Sequence, residues 1–179
     1  PLTSPQDTQT VFQYADRLTF IAEIPASTPA EAVRKLIEWV GVDEVIKNLR
    51  CVITQKLIRK LCDDCKQAFR PNPMLLKKLG LPLETSVLYR APLPPPPDDL
   101  KAQTIEELCE DCDGVPYHGR VAAFEMFEMT DTMKEVIANG ASPEAIRQQM
   151  MADGQTTLQR DAIRLVAEGK TSLEEVQRT

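Results

Sequence analysis

The pairs Cys62-Asp63-Asp64-Cys65 and Cys109-Glu110-Asp111-Cys112 decide how this chain is read. Two thiolates separated by two residues sit on one tight turn and point at one centre, and a second such turn completes an S4 shell suited to tetrahedral zinc. Cys62, Cys65, Cys109 and Cys112 are therefore the candidate ligands of a structural zinc ion. Four thiolates close the shell and leave no position for an activated water, so no catalysis is assigned to the metal. The loop between the pairs, 66–108, exceeds the roughly 15 to 20 residues of an ordinary zinc ribbon. Closure entropy grows only logarithmically with loop length, and metal–thiolate binding offsets it.

Other readings of these residues stay open. Two unrelated Cys-x-x-Cys turns can serve as redox dithiols, but such a nucleophile needs an electropositive setting to depress its pKa. Here the flanks are Asp63-Asp64 and Glu110-Asp111, which disfavour a thiolate unless a cation is present. His118, the one histidine, is an alternative ligand or a residue of an exposed loop. The fifth cysteine, Cys51, lies in the run Leu49-Arg50-Cys51-Val52-Ile53 and reads as a small buried hydrophobe.

Working outward, 42% apolar and 27% charged residues in a chain of 179 are ordinary globular composition. Aromatics are only 5%, so the core is aliphatic, which suits helices. A net charge of −6 argues against broad phosphate-backbone binding, which needs a concentrated basic face, and nucleic acid is discounted as a partner. No run of about 20 apolar residues calls for membrane insertion. With no signal segment and with paired cysteines of metal-ligand type, the expected location is the cytoplasm. The start at Pro1 rather than Met suggests a piece of something longer.

Residues 1–10 carry no apolar periodicity and read as a frayed end, and the partly alternating 17–24 reads as a strand stopped by Pro25. Thr28-Pro29 opens a helix that Gly41 ends, with a second helix from Val42. Between Cys51 and Arg59 helix and strand compete, with a switch expected near Gln55. A short helix over 74–79 ends at Gly80, the five prolines of 91–97 form extended polyproline II, and 104–108 leads back to the second cysteine pair. A strand over 119–129 follows. Helices then begin at Thr130 or Asp131, at Ser142-Pro143, at Thr157 and at Ser172, with Gly140, Gly154 and Gly169 as stops. Arg120 and Glu125 read as an interface, an internal ion pair or solvated surface. The expected fold is α+β and predominantly helical. Its divisions are 1–59 (strand and helices), a four-cysteine lobe over 60–118, and a strand with a C-terminal helical bundle over 119–179.

The seven glycines include no phosphate-binding run ending in Lys and Ser or Thr. With a single histidine and no nucleophile elbow, this chain alone is expected to be no enzyme and to bind no ATP.

The stretch Gln55-Lys56-Leu57-Ile58-Arg59-Lys60-Leu61-Cys62-Asp63-Asp64-Cys65 resembles the "QRLVRxLCxxCK" of the ATPases of type II secretion and type IV pilus assembly. Cys109 to Gly114, Tyr117, Gly119-Arg120 and Phe124-Glu125 are similar to that family's "CxxCxGxGYxGRxGxFE", and 169–176 is similar to its "TSLEEVLR" ending. The resemblance implies the family's C-terminal region, divergent or truncated: a remnant of the ATPase C-terminal lobe, an inserted four-cysteine zinc subdomain and a helical tail. It further implies a non-catalytic structural or docking part of a cytoplasmic motor for protein secretion or pilus assembly, peripheral at the inner membrane through partners. Those partners would be other motor subunits or domains, with inner-membrane platform proteins as candidates. The phosphate-binding loop and ATP-contacting arginines would lie upstream of residue 1. Pro25 stands where the family places the histidine of "T-x-H-T-N-x-A", Pro116 replaces a glycine, and so does Ala122. These departures imply either a degenerate ATPase or a fragment of a divergent member. A free-standing zinc-bearing adaptor descended from such an ATPase is the competing reading.

Overall fold

The computed structural model describes residues 1–93, 109–140 and 142–178. The polyproline reading at 94–97 and the returning stretch 104–108 lie outside these. The chain divides into two compact units: Pro1–Gln55 with Phe124–Leu158, and Lys56–Ala123 with Gln159–Thr179. The described residues form eight helices and two two-stranded sheets, an α+β architecture in which helix predominates.

In the first unit, α1 (Pro5–Gln13) replaces the expected frayed end. The Ser4 hydroxyl accepts from the Asp7 amide at 3.2 Å, Pro5 sits at the first turn, and Leu2, Val11 and Phe12 pack on the core. A polar run hid the helix because three apolar contacts and a cap, the latter contributing about 1 kcal/mol, suffice to dock it. The expected strand at 17–24 is absent. Its alternation is present, but a strand exists only with a ladder partner, and here Leu2 donates a single backbone bond to the Glu23 carbonyl at 2.6 Å.

Helix α2 (Pro29–Val40) begins at Thr28, whose hydroxyl accepts from the Glu31 amide, and ends at Gly41 with φ +90°. Helix α3 (Val42–Asn48) follows directly. Further along the chain, α5 (Asp131–Ala138) is capped by Thr130 and α6 (Pro143–Ala152) by Ser142, as the sequence indicates. Helix α2 packs on α1, α3 and α6, and α5 packs on α3 and α6. The core between them holds Val33, Leu36, Val45, Phe127, Met133, Ile137, Ile146 and Met150, each contributing about 1.5 to 3 kcal/mol of burial.

Strand β1 (Cys51–Leu61) pairs with β4 (Tyr117–Glu128). No switch occurs at Gln55: β-branched Val52, Ile53, Thr54 and Ile58 favour the strand from its first residue. Cys51 is exposed rather than buried, because Val52 and Thr54 are the more buried positions of the alternation while Cys51 and Ile53 face water.

The second unit carries β2 (Gln67–Phe69), which pairs antiparallel with β3 (Leu88–Arg90), setting Ala68 opposite Tyr89. Between them α4 (Pro73–Leu79) is capped by Asn72 and closed by Gly80 in the left-handed region. Helices α7 (Leu158–Ala167) and α8 (Leu173–Arg178) complete this unit. Leu61, Leu76, Leu88, Leu165 and Val166 are among its buried residues. Among the described residues no helix is long and apolar enough to cross a membrane.

Candidate metal centre

Strand β1 delivers Cys62 into a fully buried position at its end. The chain then turns tightly, with the Lys66 amide donating to the Cys62 carbonyl at 3.1 Å, and this turn brings Cys65 beside Cys62. On the second arm the Val115 amide donates to the Cys112 carbonyl at 2.9 Å. Asp113 and Gly114 make that turn at φ +52° and +75°, a backbone that Asp and Gly adopt more readily than other residues. The Cys62 amide donates to the Pro116 carbonyl at 3.2 Å, tying the arms together.

All four sulfurs lie within 4.8 Å of one another. Cys62 Sγ is 3.7 Å from Cys109 Sγ, and Cys65 Sγ is 3.7 Å from Cys112 Sγ, so both close pairs cross between arms. A tetrahedral ion with metal–sulfur bonds of about 2.3 Å requires edges of about 3.8 Å. A disulfide requires about 2.05 Å, and all five cysteines are free. The four residues singled out from the sequence are thus brought together in a shape that can hold a metal ion.

The sulfurs of the cluster perturb one another's ionisation. Burial pushes the Cys65 thiol well up, helped by its thiol neighbours Cys112 and Cys62. Burial also raises Cys112. Cys109 is lowered, chiefly by a backbone hydrogen bond from Asp111. Thiols that resist ionising together in one cluster give up their protons to a metal, so binding releases protons.

Two of the four flanking acids, Asp63 and Asp111, are engaged by neighbouring side chains. Asp63 accepts from Lys60 and Lys66, each at 2.6 Å, and these lysines hold its carboxyl well below the usual carboxylate range. Lys66 also lies 4.9 Å over the Tyr89 ring. The Asp111 carboxylate accepts from Cys62 Sγ at 3.1 Å and contacts His118 Nδ1 at 3.1 Å. His118 sits on β4 with its side chain exposed, outside the sulfur cluster and not in a loop. Arg120 is exposed on β4. Glu125 is half-buried, which raises its carboxyl, and the nearby charge of Arg147 opposes that rise.

Sequence reasoning missed the second ring of residues. Glu175 on α8 has a side chain with no exposed surface. It accepts from the Arg59 amide at 3.1 Å, from Arg59 Nε at 3.0 Å and Nη2 at 2.7 Å, and from Arg178 at 2.9 and 2.8 Å. Arg178 and then Arg59 hold it well below the usual carboxylate range. Arg59 also stacks 4.2 Å from the centre of the Tyr117 ring. The Arg178 contact is legible as an i,i+3 pair. The pairing across more than a hundred residues left no local signal.

The family model described as type II/IV secretion system protein matches residues 22–178. A type IV pilus assembly ATPase, PilB, of Thermus thermophilus is 30% identical over 161 residues, covering 87% of this chain and 16% of that protein. PilB of Myxococcus xanthus is 32% identical over 135 residues, covering 74% of this chain and 21% of its own length. Type II secretion system ATPase E of Vibrio cholerae is 27% identical over 161 residues, covering 88% and 29% respectively. The chain therefore spans less than a third of the length of these relatives.

Proposed function

The chain belongs to the type II/IV secretion system protein family, and from that premise we propose that it is a zinc-stabilised, non-catalytic structural and docking part of a motor for protein secretion or pilus assembly. The observation that carries this reading is the four-sulfur cluster with 3.7 Å cross-arm edges, a closed shell that builds architecture and activates no water. Cys62, Cys65, Cys109 and Cys112 are the proposed zinc ligands. The lobe they close sits, in this reading, as an insertion between a remnant of an ATPase C-terminal lobe and a helical tail.

The partners proposed are other subunits or domains of the motor, including inner-membrane platform proteins. The location proposed is cytoplasmic and peripheral at that membrane. ATP binding is not assigned to this chain: no glycine-rich phosphate loop occurs in it, and by resemblance Pro25 stands where the family segment has its histidine. Two measurements test the reading together. Elemental analysis of protein purified without added metal should give one zinc per chain, and a fluorescent-nucleotide titration should show no saturable binding in the micromolar range. Absence of stoichiometric metal, or micromolar ATP affinity, would overturn it.

A further inference from the structure

The loop 169–172 that leads into α8 touches both sulfur arms. On the first arm, the Lys170 carbonyl accepts from the amide of Leu61, the residue before Cys62, at 2.9 Å. The Thr171 hydroxyl donates to the Arg59 carbonyl at 2.8 Å, and Lys66, the residue after Cys65, donates to the Gly169 carbonyl at 3.3 Å. On the second arm, the Ser172 and Tyr117 hydroxyls share a hydrogen bond of 2.9 Å, and Tyr117 follows Pro116, whose carbonyl receives the Cys62 amide. Thr171 and Ser172 are fully buried. Glu175, one turn on, anchors the helix by its bonds to Arg59.

We propose that α8 and its leading loop are positioning elements of the metal centre: docked, they hold the two sulfur arms in ligating register, and metal occupancy in turn keeps the C-terminal helix docked. The inference rests on the zinc reading above and extends it to residues more than a hundred positions from Cys62. The physical reason is linkage. A segment bonded to both arms loses its Tyr117 contact on the second arm when the arms part, and by reciprocity metal binding favours docking by the same coupling free energy with which docking favours metal binding. Residues that orient metal ligands from outside the coordination sphere commonly change metal affinity by about 10-fold to 100-fold when altered.

The test uses the full chain loaded with zinc. Competition against a chromophoric chelator should show Glu175→Gln and Tyr117→Phe releasing zinc about 10-fold more readily than the parent. Ile146→Ala, which opens a cavity in the other unit's core, should leave the competition curve in place. In the unaltered protein, chelation should remove amide-exchange protection across 170–178 while 143–150 keeps its protection. A parent-like curve for both variants, or protection at 170–178 that survives loss of zinc, overturns the proposal while the metal reading stands. A chain that binds no stoichiometric zinc overturns both. If Glu175→Gln does not fold, Tyr117→Phe and the exchange measurement decide.

Discussion

Arg59 and Glu175 are 116 residues apart, yet the Glu175 carboxylate, with no exposed surface, receives three hydrogen bonds from Arg59 alone, the shortest 2.7 Å. Removing either partner should hurt unequally. Arg59→Ala takes three hydrogen bonds and a countercharge from a buried carboxylate and should cost about 3 kcal/mol. Glu175→Ala leaves a half-exposed guanidinium that water can reach and should cost about 2 kcal/mol. Urea unfolding of the zinc-loaded chain, followed by amide exchange at α8, measures both. Equal and negligible effects would show the pair to be ornamental.

The sulfurs should react in two classes. Cys51 is exposed, whereas Cys65 and Cys109 are half-buried and Cys62 and Cys112 are buried. With zinc bound, mass spectrometry after iodoacetamide treatment should find a single rapid alkylation, at Cys51, and the other four thiols should follow only after chelation. Rapid labelling of Cys65 or Cys109 before chelation would mean that no metal shields them.

Loss of one ligand should be felt in one unit. Cys62→Ser or Cys112→Ser removes metal and the folding energy it supplies, so the unit holding β2, β3, α7 and α8 should unfold. The one tryptophan, Trp39, lies in α2 against the core of the other unit. Its emission should stay native in both variants, and a denatured Trp39 spectrum would make the whole chain one cooperative block.

Gly169 and Gly119 offer a matched pair. Both have positive φ, +68° and +76°, but a Cβ at Gly169 would lie 2.7 Å from a Tyr89 ring carbon while one at Gly119 meets nothing within 4 Å. Gly119→Ala should cost only the backbone strain of about 1 kcal/mol. Gly169→Ala should add steric overlap for about 3 kcal/mol in total. Comparative thermal melts decide, and similar shifts in the two would show that Tyr89 gives way.

Asp153 supplies a pH signature away from the metal. Thr130 donates to it at 2.6 Å and Gln149 at 2.7 Å, linking the start of α5 to the end of α6, and its carboxyl is lowered, chiefly by the Thr130 bond. A folded pKa below the unfolded one means that the unfolded chain binds the proton first on acidification. The contribution is therefore full above the ordinary carboxylate pKa of about 4 and is lost as pH falls through the depressed value. Trp39-monitored unfolding should show Asp153→Asn less stable by about 1 kcal/mol at neutral pH, with the gap closing in acid. A gap that persists unchanged in acid would mean that the carboxylate's charge plays no part.

Much of this protein is legible in local sequence because its determinants are local. Thr28-Pro29 with Gly41, Gly80, the pair Thr130 or Asp131, and Ser142-Pro143 mark helix limits that the structure reproduces, since caps and left-handed stops act within four residues. The Cys-x-x-Cys spacing likewise names its own four sulfurs, because each turn aims both thiols at one point. Other features needed the folded chain. Strand 17–24 failed because alternation supplies a face but no ladder, α1 appeared because distant Leu2 contacts dock a polar helix, and Cys51 turned outward with the register of β1. The division of the C-terminal helices between two units, and the docking of Glu175 onto Arg59 beside the sulfur arms, were decided by tertiary structure alone. Burial and pairing between residues a hundred positions apart are properties of the packed chain, and no window of sequence contains them.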